Sequence, residues 1–126
     1  MAQATFYRCA KCGVTVALVK KGTCIPQCCG EPMEELVAGS VDAAVEKHVP
    51  AITRANGKIV VQVGSVEHPM LDVHYIEWIA LATPDRLEIA YLKPGDKPVA
   101  EFACTGADDV TAYAYCNLHG LWKADA

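Results

Sequence analysis

The chain has 126 residues, of which 52% are hydrophobic and 21% charged, and a formal charge of −4. That length suits one ordinary domain, or a very small module joined to a domain of roughly 90 residues. No run approaches the roughly 20 apolar residues of a membrane span, and an acidic balance without a Lys/Arg stripe argues against nucleic acid as a partner.

Residues 1 to 37 form a distinct block. The stretch Met1 to Arg8 has no basic segment followed by an apolar one, so a signal peptide is not expected and the chain reads as cytoplasmic. Seven cysteines in such a chain are better read as metal ligands or free thiols than as disulfides. The block carries Cys9-x-x-Cys12 and the adjacent pair Cys28-Cys29, with turn residues at Gly13, Gly22, Gly30 and Pro32. It is too small to fold on an apolar core alone. A bound metal supplies the missing stability, because ligand-binding free energy becomes folding free energy. Cysteines at i and i+3 reach one ion from a tight turn, and Gly13 leaves backbone N–H groups for the thiolates. Four thiolates close a tetrahedral shell that suits zinc or iron. Neighbours such as Cys28 and Cys29 strain that shell. Cys24 is a weaker alternative to Cys28. On spacing alone, a structural zinc knuckle and a mononuclear iron electron-transfer centre both stay open. Val37-Ala38-Gly39-Ser40 reads as the junction.

Beyond it the pattern is short strands and turns. Val41 to His48 has room for a helical turn, but His48 precedes Val49-Pro50 and is expected outside a helix. Asn56-Gly57 is a strong hairpin-turn signal and opens a strand over Lys58 to Val63. Further strands are expected over Val73 to Leu81, Leu87 to Leu92, Val99 to Cys104 and Val110 to Cys116, the last of the set. Thr83-Pro84-Asp85 and Lys93-Pro94-Gly95-Asp96 break them. This spacing predicts a β-sandwich or barrel. On the strand from Val73, His74, Ile76 and Trp78 are expected on one face and Tyr75, Glu77 and Ile79 on the other.

The four histidines of the chain all flank these strand ends and turns. They are His48, His68, His74 and His119, the last in Cys116-Asn117-Leu118-His119. Pro69 holds His68 extended. Any one histidine is best read as a surface or core residue, but all four beside a Cys-x-x-His point to one metal with Cys116 as fifth ligand. Met70 is read as packing. Neutral imidazoles add no charge, so a divalent ion with one thiolate stays positive and attracts small anions. A further octahedral position remains for substrate, and a thiolate opposite it favours one-electron chemistry, as in thiolate-ligated haem. Zinc cannot change oxidation state, so a redox role implies iron or copper.

Taken together, these residues resemble the desulfoferrodoxin family, the two-iron superoxide reductases. The resemblance spans essentially the whole chain. It rests on Cys9-x-x-Cys12 with Cys28-Cys29, Gly30-Glu31-Pro32-Met33, Glu46-Lys47-His48-Val49-Pro50, Gly64-Ser65-Val66-Glu67-His68-Pro69-Met70, His74-Tyr75-Ile76-Glu77-Trp78-Ile79, Leu92-Lys93-Pro94-Gly95 and the segment Tyr115 to Lys123. It implies a mainly β protein: a small desulforedoxin-like domain over 1–37, then an immunoglobulin-like β-sandwich over 38–126. It also implies two mononuclear non-haem irons. Cys9, Cys12, Cys28 and Cys29 would bind the first. His48, His68, His74 and His119 would surround the second in its equatorial plane, with Cys116 axial. The implied reaction is reduction of superoxide to hydrogen peroxide without release of oxygen, with electrons from a rubredoxin-type donor. A homodimer is implied as well. Lys47 would steer the anion, and Glu46 would close the resting oxidised site. Cys24 and Cys104 fall outside the implied ligands. Against this stand a non-catalytic electron carrier, a zinc-stabilised binding module and a dismutase. A blue-copper carrier fits poorly, because no methionine follows Cys116 and four histidines are too many.

Overall fold

A computed structural model describes residues 2–103 and 106–126. Cys104 and the end of the strand expected over Val99 to Cys104 lie outside the described residues. The chain divides into two compact units, one over 4–37 and the other over 38–126 together with Ala2 and Gln3. Ala2 belongs with the larger unit because its carbonyl accepts the Thr111 hydroxyl.

The small unit has five short strands: β1 (Phe6–Arg8), β2 (Thr15–Ala17), β3 (Gln27–Cys28), β4 (Glu31–Pro32) and β5 (Glu34–Glu35). The order β2-β1-β5 makes one antiparallel sheet, and β3 pairs with β4. Its core is Tyr7, Cys9 and Met33, with Val16, Leu18 and Cys28 packed against them. Two of those six residues are cysteines, so candidate ligands make up part of the core.

The larger unit begins with a single helical turn, α1 (Val45–His48), followed by β6 (Pro50–Ala55), β7 (Lys58–Val63), β8 (Ile76–Thr83), β9 (Arg86–Tyr91), β10 (Val99–Ala103), β11 (Thr111–Cys116) and β12 (Gly120–Asp125). Two antiparallel sheets, β10-β7-β6 and β12-β11-β8-β9, form the sandwich. Alternate residues of β7 (Ile59, Val61, Val63) and β11 (Ala112, Ala114, Cys116) point into one core with Ile79, Leu81 and Phe102. Asn56 and Gly57 both have positive φ, and Ala55 pairs with Lys58 across them, the arrangement expected of this hairpin turn.

Four details differ from the sequence reading. His48 is the last residue of α1, not outside it. The proline restricts Val49, whose ψ of 122° ends the helix one residue later than expected. The strand expected from Val73 starts at Ile76, because Leu71 and His74 pair in a tight bridge before it. The expected alternation along it fails. Tyr115 pairs with Trp78 but Cys116 pairs with Ile76, so Glu77 is an extra residue on β8. This bulge turns Ile76 into the core with Ile79 and Leu81, while Trp78 stacks on Tyr115 with the ring centroids 5.6 Å apart. Finally, Cys116 does not end the last strand. β12 follows His119 and pairs along all of β11.

Gly64, just after β7, lies against the backbone of α1. A Cβ there would sit 2.7 Å from the Glu46 carbonyl oxygen and 2.9 Å from that of Val49. Val66 donates its amide to the same Glu46 oxygen at 2.8 Å, so this contact fixes α1 against the loop that leads to His68. Gly64→Ala is expected to destabilise the chain by about 1–3 kcal/mol, the range for overpacking. Urea unfolding of the variant against the parent chain measures this.

Candidate metal centres

Cys9, Cys12, Cys28 and Cys29 bring their sulfurs within 4.8 Å of one another. The first pair sits on a turn closed by Gly13 N–H donating to the Cys9 carbonyl at 2.9 Å, with Gly13 at φ 83°. The second pair is placed by a device that the spacing hides. Cys28 ends β3 and pairs with Glu31, leaving Cys29-Gly30 as a two-residue loop with φ of 54° and 74°. Two positive φ values are the pattern of a type I′ turn, which reverses the chain within one step. Adjacent cysteines therefore reach one centre, with their sulfurs 3.9 Å apart and Cys28 Sγ 3.6 Å from Cys12 Sγ. Cys24 lies outside this group, exposed beside the Thr23 hydroxyl.

Thiols packed this closely cannot all ionise without a cation. The Cys12 and Lys11 amides, with the neighbouring thiols, bring Cys9 down to about 6. Cys28 is pushed up to about 12, chiefly because its thiol donates a hydrogen bond to the Cys12 sulfur and so holds its proton. A soft metal ion resolves this conflict, and four thiolates fit it.

At one end of the sandwich, His48, His68, His74 and Cys116 bring one ligand atom each within 4.8 Å of the others. His119 joins them through Nδ1, 3.1 Å from His48 Nε2 and 3.8 Å from Cys116 Sγ. The four rings form a square. Neighbouring ring centroids are 4.7 Å (His48–His68), 4.7 Å (His68–His74), 5.1 Å (His74–His119) and 4.9 Å (His119–His48), with planes nearly perpendicular. Across the diagonal His48 and His74 are 6.5 Å apart. Cys116 reaches the square from the core, where its sulfur is fully buried.

The hydrogen bonds decide what this square can hold. His48 Nδ1 lies 2.7 Å from the Ala44 carbonyl and His68 Nδ1 lies 2.6 Å from that of Pro69. A carbonyl only accepts, so both Nδ1 atoms carry hydrogen. Burial is the main cause that lowers His48, His68 and His74, with His68 falling to about 4, so these rings are neutral at pH 7. The Nε2 atoms of His48 and His68 then present bare lone pairs, yet they are 3.2 Å apart. His74 Nε2 is buried without a hydrogen-bond partner. Converging lone pairs with no proton between them fit a cation at the centre. Burial pushes the Cys116 thiol up, opposed by the amides of Leu118 and His119 that face its sulfur. Those amides are positioned to support a metal-bound thiolate.

Met70 packs against the core, and its sulfur accepts the Ile76 amide at 3.4 Å. Glu46 and Lys47 are exposed on α1 beside His48. The Lys47 ammonium adds to the lowering of both His48 and His74, so its field reaches the square. The sequence reading missed the orienting carbonyls of Ala44 and Pro69, which carry no side-chain signal. It also missed the Asn117 side chain, visible only as a spacer in Cys-x-x-His.

The pattern of the Desulfoferrodoxin family matches residues 40–125. The chain belongs to the desulfoferrodoxin family. It is 48% identical over 124 residues to the desulfoferrodoxin of Nitratidesulfovibrio vulgaris Hildenborough, covering 98% of each chain. It is 54% identical over 112 residues to that of Clostridium acetobutylicum, covering 88% of each. Among solved structures it is similar to the superoxide reductase from Treponema pallidum, with a TM-score of 0.78, 33% identity and coverage of 97% and 98% of the two chains. As in other desulfoferrodoxins, the two clusters are suited to two irons, one held by four cysteines and one by histidines and a cysteine.

Proposed function

We propose that this desulfoferrodoxin is a superoxide reductase, taking superoxide, one electron and two protons to hydrogen peroxide. The observation that carries this reading is the square of four imidazoles beside one buried thiol. Cys9, Cys12, Cys28 and Cys29 would hold one iron, in the unit over 4–37. His48, His68, His74 and His119 with Cys116 hold the other, in a domain assigned to 38–126. Iron bound by these five residues would supply the single-electron chemistry. A rubredoxin-type protein is assigned as the donor, and the first iron as a relay or store for its electrons. No helix among the described residues is long and apolar enough to cross a membrane. The cytoplasm is assigned as the location and a homodimer as the assembly.

The residues of the chain divide the work. The neutral imidazoles leave the metal's positive charge uncancelled, which favours an anionic substrate. The Leu118 and His119 amides hold the thiolate. Lys47 adds a mobile positive charge at the mouth of an otherwise acidic protein and draws superoxide inward. Lys47→Ala is expected to slow the encounter with superoxide roughly 10-fold at low ionic strength and to flatten its salt dependence. Pulse radiolysis across a salt series measures both, and an unchanged low-salt rate removes Lys47 from the mechanism. Glu46 is assigned as the carboxylate that closes the resting oxidised site, so Glu46→Ala should change the oxidised spectrum and hardly the rate.

The test of the function is stoichiometry with metal content. A reductase with two irons per chain yields one peroxide per superoxide and no oxygen when a reductant is supplied. A dismutase yields half as much peroxide and releases oxygen. One zinc and no redox metal after anaerobic iron reconstitution leaves only a binding module.

A further inference from the structure

His74 differs from its two buried partners in how it is held. The rings of His48 and His68 are each oriented through Nδ1 by a nearby carbonyl. The described hydrogen bonds around His74 are instead made by its backbone and its neighbours. Its amide and carbonyl pair with Leu71 at 3.1 and 2.9 Å. On either side of it lies the side chain of Asn117. The Asn117 Oδ1 accepts the Tyr75 amide at 2.9 Å, and Nδ2 donates to the Val73 carbonyl at 3.0 Å. The Asn117 backbone amide also donates to the Tyr75 carbonyl at 3.2 Å.

We propose that Asn117 is a positioning residue for the second site: its side chain straddles His74 and locks that ring against Cys116 and His119. The three groups come from two separate segments, the bridge before β8 and the end of β11 with the turn that follows it. Asn117 joins these segments next to the sulfur, because it directly follows Cys116. A primary amide is required. It offers one acceptor and one donor on a short planar arm, so it copies the two bonds a neighbouring strand would make. Aspartate keeps the acceptor but sets a second oxygen against the Val73 carbonyl. Alanine keeps neither. A loosened 73–75 segment lets the His74 ring tilt away from the square, and groups that orient a metal ligand are commonly worth 10- to 100-fold in affinity.

The inference rests on the reading of this cluster as an iron site, and its test separates the two. The full two-iron chain is compared with Asn117→Ala and the near-isosteric Asn117→Asp, well below the unfolding temperature of each. The readouts are the thiolate-to-iron absorption band of the second site, iron release from that site to a chelator, and hydrogen exchange of the Tyr75 amide. The expected result is a shifted band and release faster by roughly 10- to 100-fold in both variants, with the spectrum of the first site unchanged. Tyr75 exchange should accelerate about tenfold or more in Asn117→Ala. A folded variant with the parent's band and iron retention overturns the inference. So does unchanged Tyr75 exchange, which can be read whatever metal the parent holds. A parent chain that takes no iron at the second site sinks the superoxide reductase reading instead.

Discussion

Serine in place of Cys116 is expected to abolish thiolate-to-iron charge transfer at the second site and to lower the rate with superoxide by about 100-fold or more, equivalent to roughly 2.7 kcal/mol of barrier. Cys116 is the last inward residue of β11 and is fully buried. Its sulfur faces the amides of Leu118 and His119, which offset the cost of holding a buried anion. A serine hydroxyl of similar size accepts the same amides, so the fold should survive. It does not ionise as a thiol does, and its oxygen donates far less electron density to the metal. The substitution therefore isolates the electronic contribution of sulfur. Rapid-mixing kinetics with the optical spectrum reads it, and a serine variant at full rate would sink the role given to the thiolate.

Cys12→Ser should empty the first site and unfold much of the 4–37 unit. The core there is only Tyr7, Cys9 and Met33 with three partly buried neighbours, one of them Cys28. Cys9 and Cys28 are ligand and core at once, so losing the ion weakens both. Structural metal sites in comparably small modules contribute on the order of 10 kcal/mol, far more than so few apolar contacts supply. Metal analysis should fall from two irons to one, and limited proteolysis should cut within the unit. The second site should still react with superoxide. If that reaction vanished while its iron stayed bound, the first iron would be part of the chemistry and not a relay.

Much of this was legible before any coordinates. Asn56-Gly57 announced its hairpin because a type I′ turn demands two residues that tolerate positive φ, and few pairs do. The ligand candidates stood out because cysteine and histidine at strand ends are chemically conspicuous. What stayed hidden was set by tertiary pairing. Cys29-Gly30 performs the same turn as Asn56-Gly57, but a cysteine at positive φ has no propensity signal. The bulge at Glu77 depends on where β11 runs out of register, which no local period encodes. β12 was missed because Trp122 and Lys123 follow a metal-like turn and lack the alternation of a buried strand. Asn117 looked like a spacer because its partners lie more than 40 residues away.

The short bonds from His48 and His68 to Ala44 and Pro69 carry one more consequence. Each partner is close in sequence, four residues away for the first and next in the chain for the second. The tautomer and rotation of these rings are thus written into their own loops and need no ion to set them. Capture of a metal then costs little rotamer entropy at these two rings, and that side of the square is a preformed host. The cysteine cluster assembles with its guest. One polypeptide thereby holds two centres that should differ in how fast they load, how readily they exchange and which of them survives a chelator.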